Sequence, residues 1–270
     1  MRSKGVAIPY VVWMAIFVVA PLILVVVYAV TTQDGSFTLE NFSSMLQYAP
    51  VFGRSFLLAF IATVVCILLG YPMAYILARE RGRLRGMATM LIMLPMWMNF
   101  LLRTYSWVFL LERNGFFNTL LETIGLPKLD IIDTPGAVVL GMVYNFLPFM
   151  VLPIFSVIEK LDHRLIEAAQ DLGANSTQVF RRVIFPLSLP GVLSGVTMVF
   201  IPSVSTFVIS RLLGGGKSLL LGDLIEMQFL GSAYNPHLGS AISLVMMVIV
   251  LVSMGIMNRF GEGEGEAVVL

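Results

Sequence analysis

The chain has 270 residues, 58% of them hydrophobic and 12% charged, and a mean hydropathy of +0.90. Soluble domains hold about 45–50% apolar and about 25% charged residues, so the composition is that of an integral membrane protein. Its 17 basic and 16 acidic side chains nearly cancel, which leaves no nucleic-acid footprint and puts any electrostatic meaning into where the charges sit. The one cysteine, Cys66, stands in an apolar run; this excludes an internal disulfide and a thiolate metal site.

A helix needs about 20 apolar residues to cross a ~30 Å hydrocarbon core. Runs of that kind occur at 8–30, 55–78, 87–111, 136–158, 187–209 and 239–258, which predicts six transmembrane helices. The first follows Arg2 and Lys4 but is too long for a cleaved signal and lacks an A-x-A site, so it is expected to be retained. Two weaker stretches, "NFSSMLQYAPVF" and "LLLGDLIEMQFL", are too short or too polar to span and read as interfacial helices. Alternating the loops puts Arg2, Lys4, Arg79, Arg81, Arg83, Arg85, Lys160, Arg164, Arg181, Arg182 and Arg259 on one side. Arg54, Arg113, Lys128, Arg211 and Lys217 fall on the other. Basic loops stay in the cytoplasm, so both termini are expected there. The tail "GEGEGEAVVL" is expected to be disordered.

None of the six runs holds a carboxylate or histidine, and ion-driven carriers need such groups at membrane depth. The chain therefore looks unable to energise transport alone. "RLLGGGKS" matches only the end of a phosphate loop, because Arg211 stands where its first glycine belongs, and a turn is the better account. His163 and His237 fall on opposite sides and in no ligand spacing, so neither a catalytic nor a metal site is expected.

The loop at 159–186 is the informative one. Asp162 is a plausible N-cap for "HRLIEAAQDL", and Gly173 stands where a helix would stop in a left-handed turn. Asn175 and Gln178 form a second capping pair opening "STQVFRRVI", which Pro186 is expected to close. Leu165, Ala168, Ala169, Leu172, Val179, Phe180 and Val183 recur at helical spacing, giving an apolar stripe on a watery loop. The stripe either meets a partner surface or folds back on its own membrane domain.

Glu167, Ala168, Ala169, Gly173, Val183, Phe185 and Pro186 fit E-A-A-x-x-x-G-(nine residues)-I-x-L-P, with Val for Ile and Phe for Leu. The loop thereby resembles that of permease subunits of binding-protein-dependent ABC importers. The resemblance implies one transmembrane domain over 1–270 with the type I (MetI-like) permease fold. It also implies a coupling helix that docks on an ATP-hydrolysing subunit through Glu167, Ala168, Ala169, Leu172, Gly173, Phe180 and Pro186. The implied partners are a homologous second permease, two ATP-binding subunits carrying ATP and Mg, and an extracytoplasmic binding protein, all at a bacterial inner membrane. The chain itself would hold no cofactor and catalyse nothing. The phrase "LPMWMNFLLRTYSWVFLLERNGFFNTLLETIGL" further resembles spermidine/putrescine permeases, B-type rather than C-type, which would make the cargo and the binding protein's ligand a polyamine. Permeases for ferric iron, thiosulfate or aminophosphonates share parts of the phrase.

A polyamine route would use carboxylates for ammonium groups and aromatic faces for cation–π contact. Trp97, Tyr105, Trp107 and Tyr144 supply aromatics, although ring residues at helix ends also anchor at the interface. Counting rises along the predicted helices puts Asn99 about 18 Å from the inner edge and Asn145 about 14 Å from the outer; they either bond between helices or line a path. Pro202 interrupts the fifth run, with Ser203, Ser205 and Thr206 nearby to bond freed carbonyls or meet a solute. Asp223 and Glu226 fall on one helical face, to attract a cation, contact the delivering protein or simply be solvated. Arg103 opposes a polycation and is read as a structural salt bridge, which would reduce the about 3 kcal/mol a charge costs at mid-span.

Overall fold

A backbone in hydrocarbon has to satisfy its own hydrogen bonds, which is why the apolar runs are helical. In a computed structural model, which describes residues 8–80, 82–231 and 233–262, the helices are α1 (Ile8–Ala29), α2 (Glu40–Met45), α3 (Ala49–Arg79), α4 (Arg83–Trp97), α5 (Phe100–Leu111), α6 (Phe116–Thr123) and α7 (Pro135–Glu159). They continue with α8 (His163–Asp171), α9 (Ser176–Val179), α10 (Phe185–Ser205), α11 (Val208–Leu213), α12 (Leu221–Leu230) and α13 (Pro236–Glu262). A lone bridge between Thr31 and Phe37 closes the turn after α1. Arg2, Lys4, Arg81 and most of the glycine–glutamate tail lie outside the described residues.

Among the described residues, five helical stretches are long and apolar enough to span: Ile8–Ala29, Glu40–Arg79, Pro135–Glu159, Ser176–Ser205 and Pro236–Met257. The sixth exists only if Arg83–Trp97 and Phe100–Thr123, bent by 95°, count together. The predicted third span is therefore not a rod. Pro95 lies in the last turn of α4 and has no N–H to give the helix; Met98 is extended, and the Asn99 side chain restarts the chain as N-cap of α5, accepting from the Leu101 N–H at 2.9 Å and the Leu102 N–H at 3.2 Å. Two further boundaries differ. The last third of the first interfacial stretch, after Tyr48, belongs to α3, which begins at Ala49. The fifth span stops at Ser205 instead of 209, and α11 sets off separately.

The core lies where α3, α7 and α10 pack together, around Ala62, Cys66, Met142, Met150, Ile154 and Val199. Small residues let these backbones approach: a Cβ on Gly195 would stand 2.7 Å from the Met150 sulfur, and one on Gly191 2.9 Å from the Pro153 carbonyl oxygen. The Tyr71 and Ser188 hydroxyls bond across this seam at 2.8 Å. At the opposite end from the coupling loop, a second cluster of Ala59, Val204, Leu221, Leu224, Leu238 and Ile242 seats α12.

Candidate functional site

The loop at 159–186, expected from the resemblance to be a coupling loop, is built by local signals. The Asp162 carboxylate accepts the Arg164 N–H at 3.0 Å and starts α8. The helix stops at Gly173, φ +83°, where the Gly173 N–H reaches Gln170 O at 2.8 Å and the Ala174 N–H reaches Ala169 O at 3.0 Å; this pair of bonds is a Schellman motif. Asn175 and Gln178 then cap each other's backbone at 2.9 Å both ways. Pro186 does not close the second helix. The chain runs on as one helix over Ser176–Ser205, through a widened turn at Phe180–Ile184 in which the Phe185 N–H reaches Phe180 O, and the proline sits in the first turn of α10. The second half of the loop is thus the root of the fifth span.

This geometry divides the apolar stripe. Leu165 and Leu172 are exposed, Leu172 by 90%, and Glu167 and Ala168 are exposed beside them. Ile166, Ala169 and Ala174 pack inward against the core. Val179 is buried, and Phe180 stands edge-on to Tyr71 and Tyr75 of α3 at 5.8 and 5.3 Å. Phe180 is an anchor of the loop, and the free face belongs to α8. Tyr71 and Tyr75, which the sequence reading passed over, form the floor.

The candidate path residues do not form one site. Trp97 is 73% exposed on the α4 side of the break. Across the break, Trp107 stands edge-on to Tyr144 at 5.2 Å, and the Arg103 guanidinium lies 5.7 Å from the Tyr144 ring. Among the described residues no carboxylate pairs with Arg103; its Nη1 donates to Pro95 O, at the end of the α4 helix that the break interrupts. The expected salt bridge is replaced by a hydrogen bond to backbone, on a carbonyl that also accepts the Met98 N–H at 3.3 Å where the chain turns out of α4. A Pro95–Asn99 spacing inside an apolar run was the missed signal for this break. Tyr105 is exposed. Asn145 is buried and donates to Gly141 O of its own helix at 2.8 Å; its Oδ1 has no partner among the described residues.

The Ser203 hydroxyl donates to Val199 O at 2.7 Å, the Ser205 hydroxyl to Ile201 O at 3.2 Å, and Thr206 is buried where α10 ends. Asp223 and Glu226 are engaged within the chain. Asp223 is buried and accepts the Leu220 N–H at 2.9 Å, while Ser55 accepts that of Leu221 at 2.8 Å. Burial raises the Asp223 pKa, against the Ser210 hydroxyl, the Leu220 N–H and Arg211, which lower it. Glu226 takes both guanidinium nitrogens of Arg211 and holds that guanidinium above its usual range, chiefly through the hydrogen bond. Neither carboxylate is free for a cation at the mouth in this conformation.

The family described as binding-protein-dependent transport system inner membrane component matches residues 66–262. The chain belongs to that family. It is 41% identical over 247 residues to the spermidine/putrescine transport system permease protein PotB of Haemophilus influenzae, covering 88% of this chain and 86% of that protein. The PotB of Escherichia coli is 38% identical over 255 residues, covering 91% of each. In three dimensions the chain superposes with a TM-score of 0.77, at 19% identity and over 96% of this chain and 94% of the other, on a bacterial ABC transporter involved in import of the acidic polysaccharide alginate; this likeness shows the fold. The chain is thus a helical, multi-pass transport component of the inner membrane.

Proposed function

We propose that this chain is the permease subunit through which an ATP-driven ABC importer moves spermidine or putrescine into a bacterial cell. The observation that carries the substrate is the likeness to permeases named for spermidine and putrescine, 38–41% identical over about nine-tenths of this chain. The exposed face of α8 supports the coupling role, because an apolar Leu165–Ala168–Leu172 strip on a loop calls for a protein partner. In this reading the loop and both termini face the cytoplasm, where two ATP-binding subunits hold ATP and Mg. A second, homologous permease completes the path, and an extracytoplasmic binding protein delivers the polyamine. Closure of the ATPase pair pushes α8. Because the stretch from Ser176 is continuous with α10, the push crosses the Gly173 turn and passes directly into the fifth span. The exposed rings of Trp97 and Tyr105 offer cation–π faces to an ammonium, and the chain performs no covalent step.

The test is uptake of labelled spermidine and putrescine by the four-subunit transporter in proteoliposomes with its own binding protein. ATP-dependent accumulation of either is expected. Retention of an oxyanion or ferric iron by the binding protein, with no polyamine uptake, would overturn the substrate.

A further inference from the structure

Two cavities meet at Arg85. The first, of about 400 Å³, lies under the coupling loop; Arg79, Glu80, Arg85, Glu159 and His163 line it together with apolar residues such as Tyr75. The second, of about 410 Å³, follows α4 and is lined by Gly86, Met90, Met93, Trp97 and Phe155. Arg85 and Glu159 belong to both. They form an ion pair with 38% and 33% of their side chains exposed, and the Arg85 guanidinium lies 5.8 Å from the Phe155 ring. Arg79 lies 5.0 Å over Tyr75.

The first cavity presents two guanidiniums and two carboxylates, so its lining suits a ligand carrying both charges better than a simple anion. A guanidinium fork fits a phosphate, and a carboxylate accepts hydrogen bonds from a primary ammonium. Exposed ion pairs are weak, so the Arg85–Glu159 pair is able to open and share its members with such a ligand. The second cavity has a defined depth: Arg85 to Trp97 is about 18 Å along the helix, against ~15 Å for half of a ~30 Å hydrocarbon core. No residue of α4 is buried, and Met90 and Leu91 are exposed by 56% and 65%. A doubly charged cup opening onto an apolar groove one leaflet deep has the shape of an amphiphile.

We propose that the paired cavities bind a glycerophospholipid with a primary-amine headgroup. Its phosphate lies against Arg79 and Arg85, its ammonium against Glu80 and Glu159, and one acyl chain follows α4 towards Trp97. His163 and Ile166 bring the inner face of α8 to the same cup, so the headgroup lies beneath the coupling helix and ties its position to the bilayer. Which leaflet supplies the lipid rests on the orientation given under the proposed function; the binding does not.

The experiment is native mass spectrometry of the full chain in detergent, offered equal amounts of phosphatidylethanolamine, phosphatidylcholine and phosphatidylglycerol with identical acyl chains. Phosphatidylethanolamine is expected to be retained roughly two- to fivefold over each of the others. Glu80→Gln should bring phosphatidylethanolamine close to parity with the other two, and Arg79→Gln, which meets the phosphate common to all three, should lower the retention of each. Preferred phosphatidylglycerol would replace the zwitterion by an anion and overturn the proposal. Equal retention by the wild type would mean annular lipid only, and a preference surviving Glu80→Gln or a retention untouched by Arg79→Gln would place the site elsewhere; any of these overturns it. The assay contains no polyamine and no ATPase, so its failure is separable from failure of the transport reading.

Discussion

The coupling loop and the broken third span are both polar interruptions of an apolar chain, and they are held in opposite ways. At the loop each turn is closed by residues within five positions: Asp162 on Arg164, Ala174 on Ala169, Asn175 and Gln178 on each other. At the break the restart is local, through Asn99, but at the far end the Met98 N–H shares Pro95 O with Arg103, which reaches back from the next helix and packs near Tyr144 of α7. Water can complete a loop; at membrane depth the protein has to supply every partner itself.

The largest expected effect tests the division of the stripe. Phe180→Ala removes a ring packed between Tyr71, Tyr75 and Phe185 and should cost about 2–4 kcal/mol, near the low end for buried aromatics because the ring is partly exposed. Leu172→Ala, at a side chain 90% exposed, should leave the unfolding midpoint in detergent unchanged and weaken co-purification of the ATP-binding subunits. Equal stability losses at the two positions would mean that the stripe is one face after all.

Arg103→Ala addresses the other region. Losing the charged donor from the Pro95 carbonyl, which keeps the Met98 N–H at 3.3 Å, should cost about 1.5–3 kcal/mol, the range for a hydrogen bond to a charged group, read as a lower thermal midpoint, with Arg103→Lys intermediate because the ammonium lacks the guanidinium's fixed fork. An Arg103→Ala protein as stable as wild type would show that the break stands on Asn99 alone.

These two regions also separate what was legible in the sequence from what was not. The caps at Asp162 and Asn175 and the stop at Gly173 were readable because each signal and its partner lie within one turn. The family motif implied a partner for the loop. The proline at 186 misled, since a proline ordinarily ends a helix; here the widened turn at Phe180–Ile184 carries the helix through it. At the third span, hydropathy measured length and composition and was blind to direction, so a 95° bend passed as a straight rod. Asp223 and Glu226 looked free because their partners, Leu220, Ser210 and Arg211, come from the preceding turn and helix.

Gly173 sharpens the comparison at smaller scale. A Cβ there meets nothing within 4 Å, so a substitution is felt only through the positive φ, which costs a residue other than glycine about 1–2 kcal/mol. Gly173→Val should insert and fold yet abolish ATP-coupled uptake, because relaxing the turn re-aims α8. Gly173→Asn, which tolerates the left-handed region, should retain most uptake. Normal uptake by the valine variant would mean that the bend at Gly173 does not set the coupling.

The smallest effect is a pH dependence at the end opposite the coupling loop. Burial holds the Asp223 pKa above its ordinary 3.8, so the folded chain binds this proton more tightly than the unfolded one. The stability it contributes is therefore full below the ordinary carboxylate range and is lost as pH rises through the raised value. Asp223→Asn removes the titration while leaving an oxygen that is able to accept the Leu220 N–H. The variant's midpoint, relative to wild type, should accordingly climb over the interval in which pH rises from the ordinary carboxylate range through the raised value. A relative midpoint that falls over that interval would mean that Arg211 and the Leu220 N–H outweigh burial, so that the carboxylate at this rim stabilises the fold as an anion.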